Sequence, residues 1–281
     1  MRVNSWNEWD PLKHIIVGRA VGTMVQAPEP AIRRDWPKHG FPLGTFGRLP
    51  KEMEEKADDL LDDYAKILES RGIRVDRPKP LDFSQPVQTP DWKQETMFGC
   101  TAPRDLLLTV GSEILEATMS YRSRWFEYLC YRPLLEQYFK EDSKMRWEAA
   151  PKPRLTDRSF RKGYWEKFNA VSHKEQLERG KARDWVLTEA EPLFDAADVA
   201  RCGKDLFVQA STATNSAGAD WLRRHFPDHR IHVVHFLEDS PLHIDATFVP
   251  LRPGLALINP ERPSLVPGLK ELFDKNDWQI V

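Results

Sequence analysis

The chain has 281 residues, room for one large domain or two ordinary ones, and its 41% hydrophobic content is enough for a substantial core. Charged residues make up 30% but nearly cancel, to a net charge of −2, which gives no electrostatic case for binding nucleic acid or an anionic membrane. With no run of about 18 apolar residues, no apolar h-region in Met1 to Trp9, and three scattered cysteines (Cys100, Cys130, Cys202) that make neither a disulfide framework nor a CxxC metal site, the expectation is a reduced, cytoplasmic protein.

The first strand predicted is Lys13 to Val17, ended by Gly18, and residues 20–50, rich in Pro, Gly and Arg, read as a long loop. A helix follows from Lys51 to Arg71, with Met53, Ala57, Leu60, Leu61, Tyr64 and Leu68 as its apolar stripe and Gly72 as its C-terminal cap. Ile73 to Val75 is a short strand. A second unit starts at Asp105: a strand over 106–110, a turn at Gly111, a return strand over 114–117, an aromatic helix from Trp125 to Phe139, and a strand over 145–148. Residues 151–188 are polar and basic and read as a solvated excursion with one short helix near His173 to Gly180. A third unit starts at Asp198, with a hairpin turning at Gly203, a helix over 217–225 and a strand over 231–236. A fourth starts at Asp245, with a strand over 246–249, a turn at Gly254, a return strand over 255–258, a helix over 265–274 and a strand over 278–281.

The order hairpin, helix, strand thus recurs four times, without repeating residue identities. Units of this kind cannot each bury a core alone, so they are expected to pack around a common axis. In three of them an Asp stands just before the hairpin, at 105, 198 and 245, so these carboxylates are expected to converge at one end of that axis.

The richest chemistry lies in His243-Ile244-Asp245 and in Phe194-Asp195-Ala196-Ala197-Asp198. Residues i and i+2 of a strand share a face, so Asp245 is expected beside His243, with Asp195 as a fixed charge nearby. One imidazole among carboxylates suits a planar cation, and a guanidinium is the obvious candidate. Taken alone, a His-x-Asp pair is more often a surface pair, and Asp198 reads equally as a turn cap or a substrate contact. Arg122 and Arg124 read as partners of Glu127 before substrate ligands, and Trp125, Phe126 and Tyr128 as helix core. His225, His229, His232 and His235 suggest a metal by count, but His232 and His235 sit three apart on a strand and face opposite sides, so no metal site is expected.

Several longer motifs resemble one family. Asn7-Glu8-Trp9-Asp10-Pro11-Leu12, Ile16-Val17-Gly18-Arg19-Ala20, Ala102-Pro103-Arg104-Asp105, Arg122 to Tyr128, Ala150-Pro151-Lys152-Pro153, the two motifs above, and Asn259-Pro260-Glu261-Arg262-Pro263 are similar, in order, to the arginine:glycine amidinotransferases and their bacterial relatives. The resemblance covers essentially the whole chain. It implies an α/β propeller (pentein-like) of ββαβ modules around a central channel, four of five modules being present, in a single domain. It also implies ping-pong transfer of an amidino group from L-arginine to glycine or another amine through a cysteine-bound intermediate, with ornithine leaving. By motif, Asp195 and His243 carry over as catalytic residues, with His243 as acid and base and Asp195 holding the guanidinium. Asp105 assists on the other side of the substrate, Asp245 orients His243, and Arg262 takes the substrate carboxylate. The segment Ser240-Pro241-Leu242 is expected to help select the acceptor. No cofactor is implied, and a homodimer is compatible with the family.

The chain departs from the family in one respect. The family's nucleophilic cysteine lies in the last module, and none of the three cysteines here stands in that context. The expectation is therefore a chain incomplete as given, with its thiol supplied elsewhere, or a catalytically inactive arginine-binding member. An arginine deiminase-like hydrolase is the competing enzyme reading.

Overall fold

Short strands separated by glycine turns dominate the computed structural model, which describes residues 3–32 and 45–281. In chain order the elements are β1 (His14–Ile16), β2 (Met24–Val25), β3 (Gly47–Arg48), α1 (Lys51–Ser70), β4 (Arg74–Asp76), β5 (Val87–Gln88) and β6 (Lys93–Gln94). Then come α2 (Pro103–Leu106), β7 (Leu107–Val110), β8 (Glu113–Glu116), α3 (Tyr128–Glu141), β9 (Arg146–Ala149), α4 (Tyr164–Asn169) and α5 (His173–Lys181). The chain continues through β10 (Val199–Cys202), β11 (Asp205–Gln209), α6 (Ser216–His225) and β12 (Arg230–Val234), then β13 (Phe248–Arg252), β14 (Leu255–Ile258), α7 (Leu269–Lys275) and β15 (Gln279–Ile280).

Three modules share one design. A hairpin (β7–β8, β10–β11, β13–β14) is followed by a helix and a strand that pairs parallel to the hairpin's second strand. Each hairpin turns on a glycine with positive φ: Gly111 (61°), Gly203 (68°) and Gly254 (78°). Alternation along each strand sends every second side chain inward. Leu108, Val110 and Leu115 of one module meet Val199, Leu206 and Val208 of the next, with α6 covering them through Ala219 and Leu222. Phe207 and Val234 pack against Phe248, Ala256 and Phe273 in the same way. Each core is shared between neighbours, so the modules stand side by side in chain order.

The first unit departs from the expected repeat: among the described residues it is a two-stranded parallel sheet, β1–β4, bridged by α1, without a hairpin. Its helix starts at the expected residue, but its inner face is different. Met53, Leu60 and Tyr64 are exposed, and Asp58, Ala65 and Leu68 are buried. Two acids explain the rotation. Asp58 accepts from the Arg19 guanidinium and the Ala20 N–H, and Glu54 accepts from the Gly22 N–H. Side chains that satisfy backbone donors belong inside, and an apolar count misses them. The long loop expected over 20–50 contains the β2–β3 ribbon, and residues 33–44 lie outside the described residues.

The excursion over 151–188 holds two helices and a buried aromatic cluster. Phe160, Tyr164, Trp165 and Phe168 pack with Trp92, Leu155 and Leu193. Its basic residues Arg158, Arg161 and Lys162 are exposed as expected, while the aromatics between them form core. No helix among the described residues is long and apolar enough to cross a membrane.

Candidate active site

Each complete module has a short helical turn before its hairpin: Pro103–Leu106, Ala196–Asp198 and Ile244–Ala246. The second turn packs against both the first and the third. That packing brings Asp105, Asp195, Asp198 and His243 together; of the three acids expected to converge, Asp105 lines the cavity, Asp198 is buried behind it, and Asp245 turns to Arg104 instead. Gly218 on α6 lets the chain entering the second turn come close. A Cβ there would stand 2.1 Å from the Leu193 carbonyl oxygen.

A cavity of about 480 Å³ opens over this junction, lined by Asp105, Arg124 and His243 together with Gln26, Ala31, Ile32, Phe98, Thr101, Ala102, Tyr121, Trp165, Thr212, Ser240 and Leu242. His243 is held between two acids: Nε2 lies 3.3 Å from Oδ2 of Asp195, and Nδ1 lies 3.9 Å from Oδ1 of Asp105. Burial pushes its pKa down, but Asp195 above all, then Asp105 and Asp198, overturn this and push it up to about 9. The imidazole therefore carries a proton near neutral pH. Its backbone, at φ 63° and ψ 132°, lies outside the ordinary regions for a residue with a side chain. Such strain costs on the order of 1–3 kcal/mol and gathers at functional sites.

The carboxylates differ. Asp195 is fully buried; its Oδ1 accepts from the Ala197 N–H at 2.9 Å, and its Oδ2 faces His243. Although close, Asp195 Oδ2 and His243 Nε2 make no well-aligned hydrogen bond to any group among the described residues. Asp105 lines the cavity and accepts from Arg124 Nη1 at 2.7 Å. Arg124 also forks onto Glu127 through Nε (2.6 Å) and Nη2 (3.0 Å). Glu127 and Asp105 hold this buried guanidinium fully charged despite burial. Tyr121 completes the wall, its phenol kept protonated by burial and by the charge of Asp195.

Several sequence assignments are corrected. Asp245 does not orient His243. Residues 244–246 form a 3-10 turn, not a strand, so positions i and i+2 do not share a face, and the half-exposed Asp245 accepts from Arg104 at 3.1 Å. The carboxylate that holds His243 is Asp195. Asp198 is neither a cap nor a substrate contact: it is fully buried, does not line the cavity, and accepts from Ser211 Oγ (2.6 Å) and Thr214 Oγ1 (2.5 Å). Arg262 is not among the lining residues; it pairs with Glu238 at 3.1 Å, two residues before the cavity-lining Ser240. Arg122 donates to the Leu155 carbonyl and Asp157 rather than to Glu127, the partner expected for it. Arg124 does both jobs, anchoring Glu127 and lining the cavity. Cys100 faces the core beside Met24, Phe83 and Cys130, and no cysteine lines the cavity. Ser211, Thr214 and Trp165 were not singled out; they lie between the recognisable motifs, and only folding brings them to the site.

The four suspected histidines are dispersed: His225 pairs with Glu113, His232 with Asp205, His229 stacks on Trp6, and His235 meets Trp185 edge-on. Asp105, Asp195 and His243 do offer ligand atoms within 4.8 Å of one another. A metal would require a neutral imidazole, whereas the surrounding carboxylates favour its proton. The set suits an organic cation better.

No protein-family model matches the chain. It is 41% identical over 284 residues to the mitochondrial glycine amidinotransferase of Gallus gallus, an alignment covering 99% of this chain and 65% of that protein. It is 40% identical to the L-arginine:L-lysine amidinotransferase of Pseudomonas savastanoi pv. phaseolicola, covering 97% of this chain and 73% of the other. The chain thus spans just under two thirds of the vertebrate relative's length. Among solved structures it superposes on SxtG, an amidinotransferase of Microseira wollei from a saxitoxin biosynthetic pathway, with a TM-score of 0.84 at 38% identity, covering 100% of this chain and 76% of that one. The inosamine-phosphate amidinotransferase StrB1 of Streptomyces griseus gives 0.81 at 35%, covering 99% and 74%. A more distant likeness, to DDAH of Pseudomonas aeruginosa (TM-score 0.54, 14% identity), shows the shared pentein fold alone. By sequence, by fold and by the order of its motifs, the chain belongs to the amidinotransferase family.

Proposed function

We propose that this chain forms the guanidinium-binding and acid–base half of an amidinotransferase that takes its amidino group from L-arginine. The observation that carries this reading is His243, protonated and held between Asp195 and Asp105 at the wall of the cavity. Asp105 and the uncommitted Oδ2 of Asp195 are the acceptors for the guanidinium N–H groups, through charge-assisted hydrogen bonds. A thiolate attacks the guanidino carbon, the carbon–nitrogen bond breaks, and His243 gives its proton to the departing ornithine amine. An acceptor amine then attacks the same carbon, the carbon–sulfur bond breaks, and His243 takes the proton the amine loses. The relatives' names point to glycine or lysine as acceptor classes, and Ser240 and Leu242, at the cavity wall beside His243, are placed to discriminate between them.

The thiol comes from outside residues 1–281. Cys100 and Cys130 are fully buried in a core, and Cys202, on β10, has its thiol pushed up to about 12 by burial and by Glu8 and Asp205, which keeps it protonated and unreactive. This observation also favours the second reading, an arginine-binding protein without turnover. Calorimetry with L-arginine tests the common part: binding that is lost in Asp195→Ala is expected, and no binding to the folded protein overturns both readings. Turnover then separates them. Ornithine released without citrulline, when the thiol-bearing part is present, indicates transfer; citrulline indicates a deiminase-like hydrolase; binding without either product indicates the inactive form.

A further inference from the structure

Asp198 is a second buried carboxylate directly behind the one that holds His243, and the reaction outlined above gives it no task. Its two oxygens are unequal. Oδ2 accepts from Ser211 Oγ and Thr214 Oγ1, at 2.6 and 2.5 Å. Ser211 Oγ must donate, because it already accepts two backbone N–H groups, from Ala213 and Thr214; Thr214 Oγ1 accepts one, from Asp195, and turns its own proton to Asp198. Among the described residues Oδ1 has no hydrogen-bond partner, and it is buried. A fully buried, ionised oxygen without a donor is costly, whereas a carboxyl with a proton on Oδ1 leaves Oδ2 free to accept both hydroxyls.

The surroundings set the sign. The turns packed against Asp198 carry Asp105 and Arg104 on α2, and His243 and Asp245 at the fourth module's turn; Asp195 heads its own turn. Arg104 spends its charge on Asp245 and on backbone carbonyls, and His243 faces Asp195 and Asp105. On β11 the one charged residue, Asp205, pairs with Arg230 and His232. Among the described residues, no cation is therefore committed to Asp198. Ser211 and Thr214, moreover, also line a second cavity of about 330 Å³, bounded by Arg161, Arg183 and Trp185. Those hydroxyls connect the buried carboxyl to space away from the arginine cavity.

We propose that Asp198 is a positioning residue for the guanidinium site: it holds a proton on Oδ1 while no cation is bound and gives it up to solvent when a guanidinium docks against Asp105 and Asp195. The carboxyl O–H bond breaks and solvent water takes the proton, leaving a carboxylate whose Oδ2 keeps the Ser211 and Thr214 hydrogen bonds. The gain is a site whose negative charge grows only when a cation arrives, so that the empty site is spared the repulsion between two adjacent carboxylates. Burial first, and then Asp195, push the Asp198 carboxyl up to about 7, consistent with a proton that is ready to leave near neutral pH.

This inference rests on the proposed guanidinium site, and the test separates the two. L-arginine is titrated into the folded protein near pH 7 in two buffers of different ionisation enthalpy, and the affinity is followed from pH 6 to 8. The wild type is expected to release protons on binding and to gain affinity with pH, by about tenfold for each pKa unit the cation removes from Asp198. Asp198→Asn is expected to bind arginine with that proton release lost and a flat profile. His243, at about 9, stays protonated across this window. Glu29, pushed up to about 7 by burial, titrates within it, so the difference between wild type and variant decides. Equal proton release in both proteins overturns the proposal. Should the variant fail to fold, or arginine fail to bind, the carboxyl carbon of Asp198 in the wild type is titrated by NMR. A midpoint near neutral supports the proton-holding role, and a carboxylate already ionised at pH 5 overturns it. Thr214→Val, which removes one hydroxyl donor, is expected to move that midpoint upward; an unmoved midpoint counts against the hold of these hydroxyls on the carboxylate.

Discussion

The turns at 195–198 and at 243–246 occupy equivalent places in neighbouring modules, yet they handle acids in opposite ways. The first buries both carboxylates completely and satisfies two of their four oxygens from within the fold; the second exposes Asp245 to a surface arginine and sends His243 into the cavity on a strained backbone. The same local shape therefore buries two carboxyls in one module and sets an imidazole at the cavity wall in the next. What differs is the neighbour: Ser211, Thr214 and the Ala197 N–H receive the acids of the first turn, and only Asp195 and Asp105 receive the imidazole of the second. Burial and partners, more than residue type, decide which group does chemistry.

The sharpest way to break that contrast is to remove the proton carrier. On the proposed function, His243→Asn should lower amidino transfer by about 10²–10⁴-fold, the usual worth of a general acid–base group, in a steady-state assay of ornithine release with the thiol-bearing part present. A loss under tenfold would place the acid elsewhere.

Stability gives the next largest effect. The folded-state pKa of His243 lies above its unfolded value, so its contribution is fully present below about 6.5 and is lost as pH rises through about 9. The shift corresponds to at most about 3 kcal/mol. Urea unfolding of wild type and His243→Gln should show a gap that narrows from pH 6 to pH 10; a gap that widens would mean the imidazole is neutral in the fold.

Gly218→Ala tests how the first turn is held. The added methyl meets the Leu193 carbonyl, and destabilisation of about 1–3 kcal/mol is expected, as for other overpacked sites, together with weaker arginine binding because Leu193 leads directly into Asp195. Asp245→Asn should do least. A half-exposed pair with Arg104 is worth about 0.2–1 kcal/mol, so arginine affinity should stay within about fivefold. A larger loss would restore the orienting role that its place in the sequence suggested.

The three complete modules were legible in the sequence because hairpin glycines and β-branched runs are local signals. The repeat pointed to Asp105, Asp198 and Asp245 as the acids that should converge; Asp105 does reach the cavity, but its neighbours there are Asp195 and His243, which their motifs rather than the repeat singled out. Other features were hidden for identifiable reasons. The inner face of α1 carries Asp58 and Glu54, which serve backbone donors and defeat an apolar count. The aromatics of 160–168 are diluted by exposed basic residues, so their burial does not show as a period. The side-by-side placement of His243 and Asp245 assumed a strand, where a 3-10 turn stands. Ser211 and Thr214 belong to no motif, and only the fold puts them under Asp198.

The most direct test is the titration of the His243 imidazole by NMR in the wild type and in Asp195→Asn. A midpoint near 9 that falls toward 6.5 in the variant is the predicted result. A wild-type midpoint near 6.5, unmoved by the substitution, would contradict the claim that His243 is a proton carrier held by Asp195.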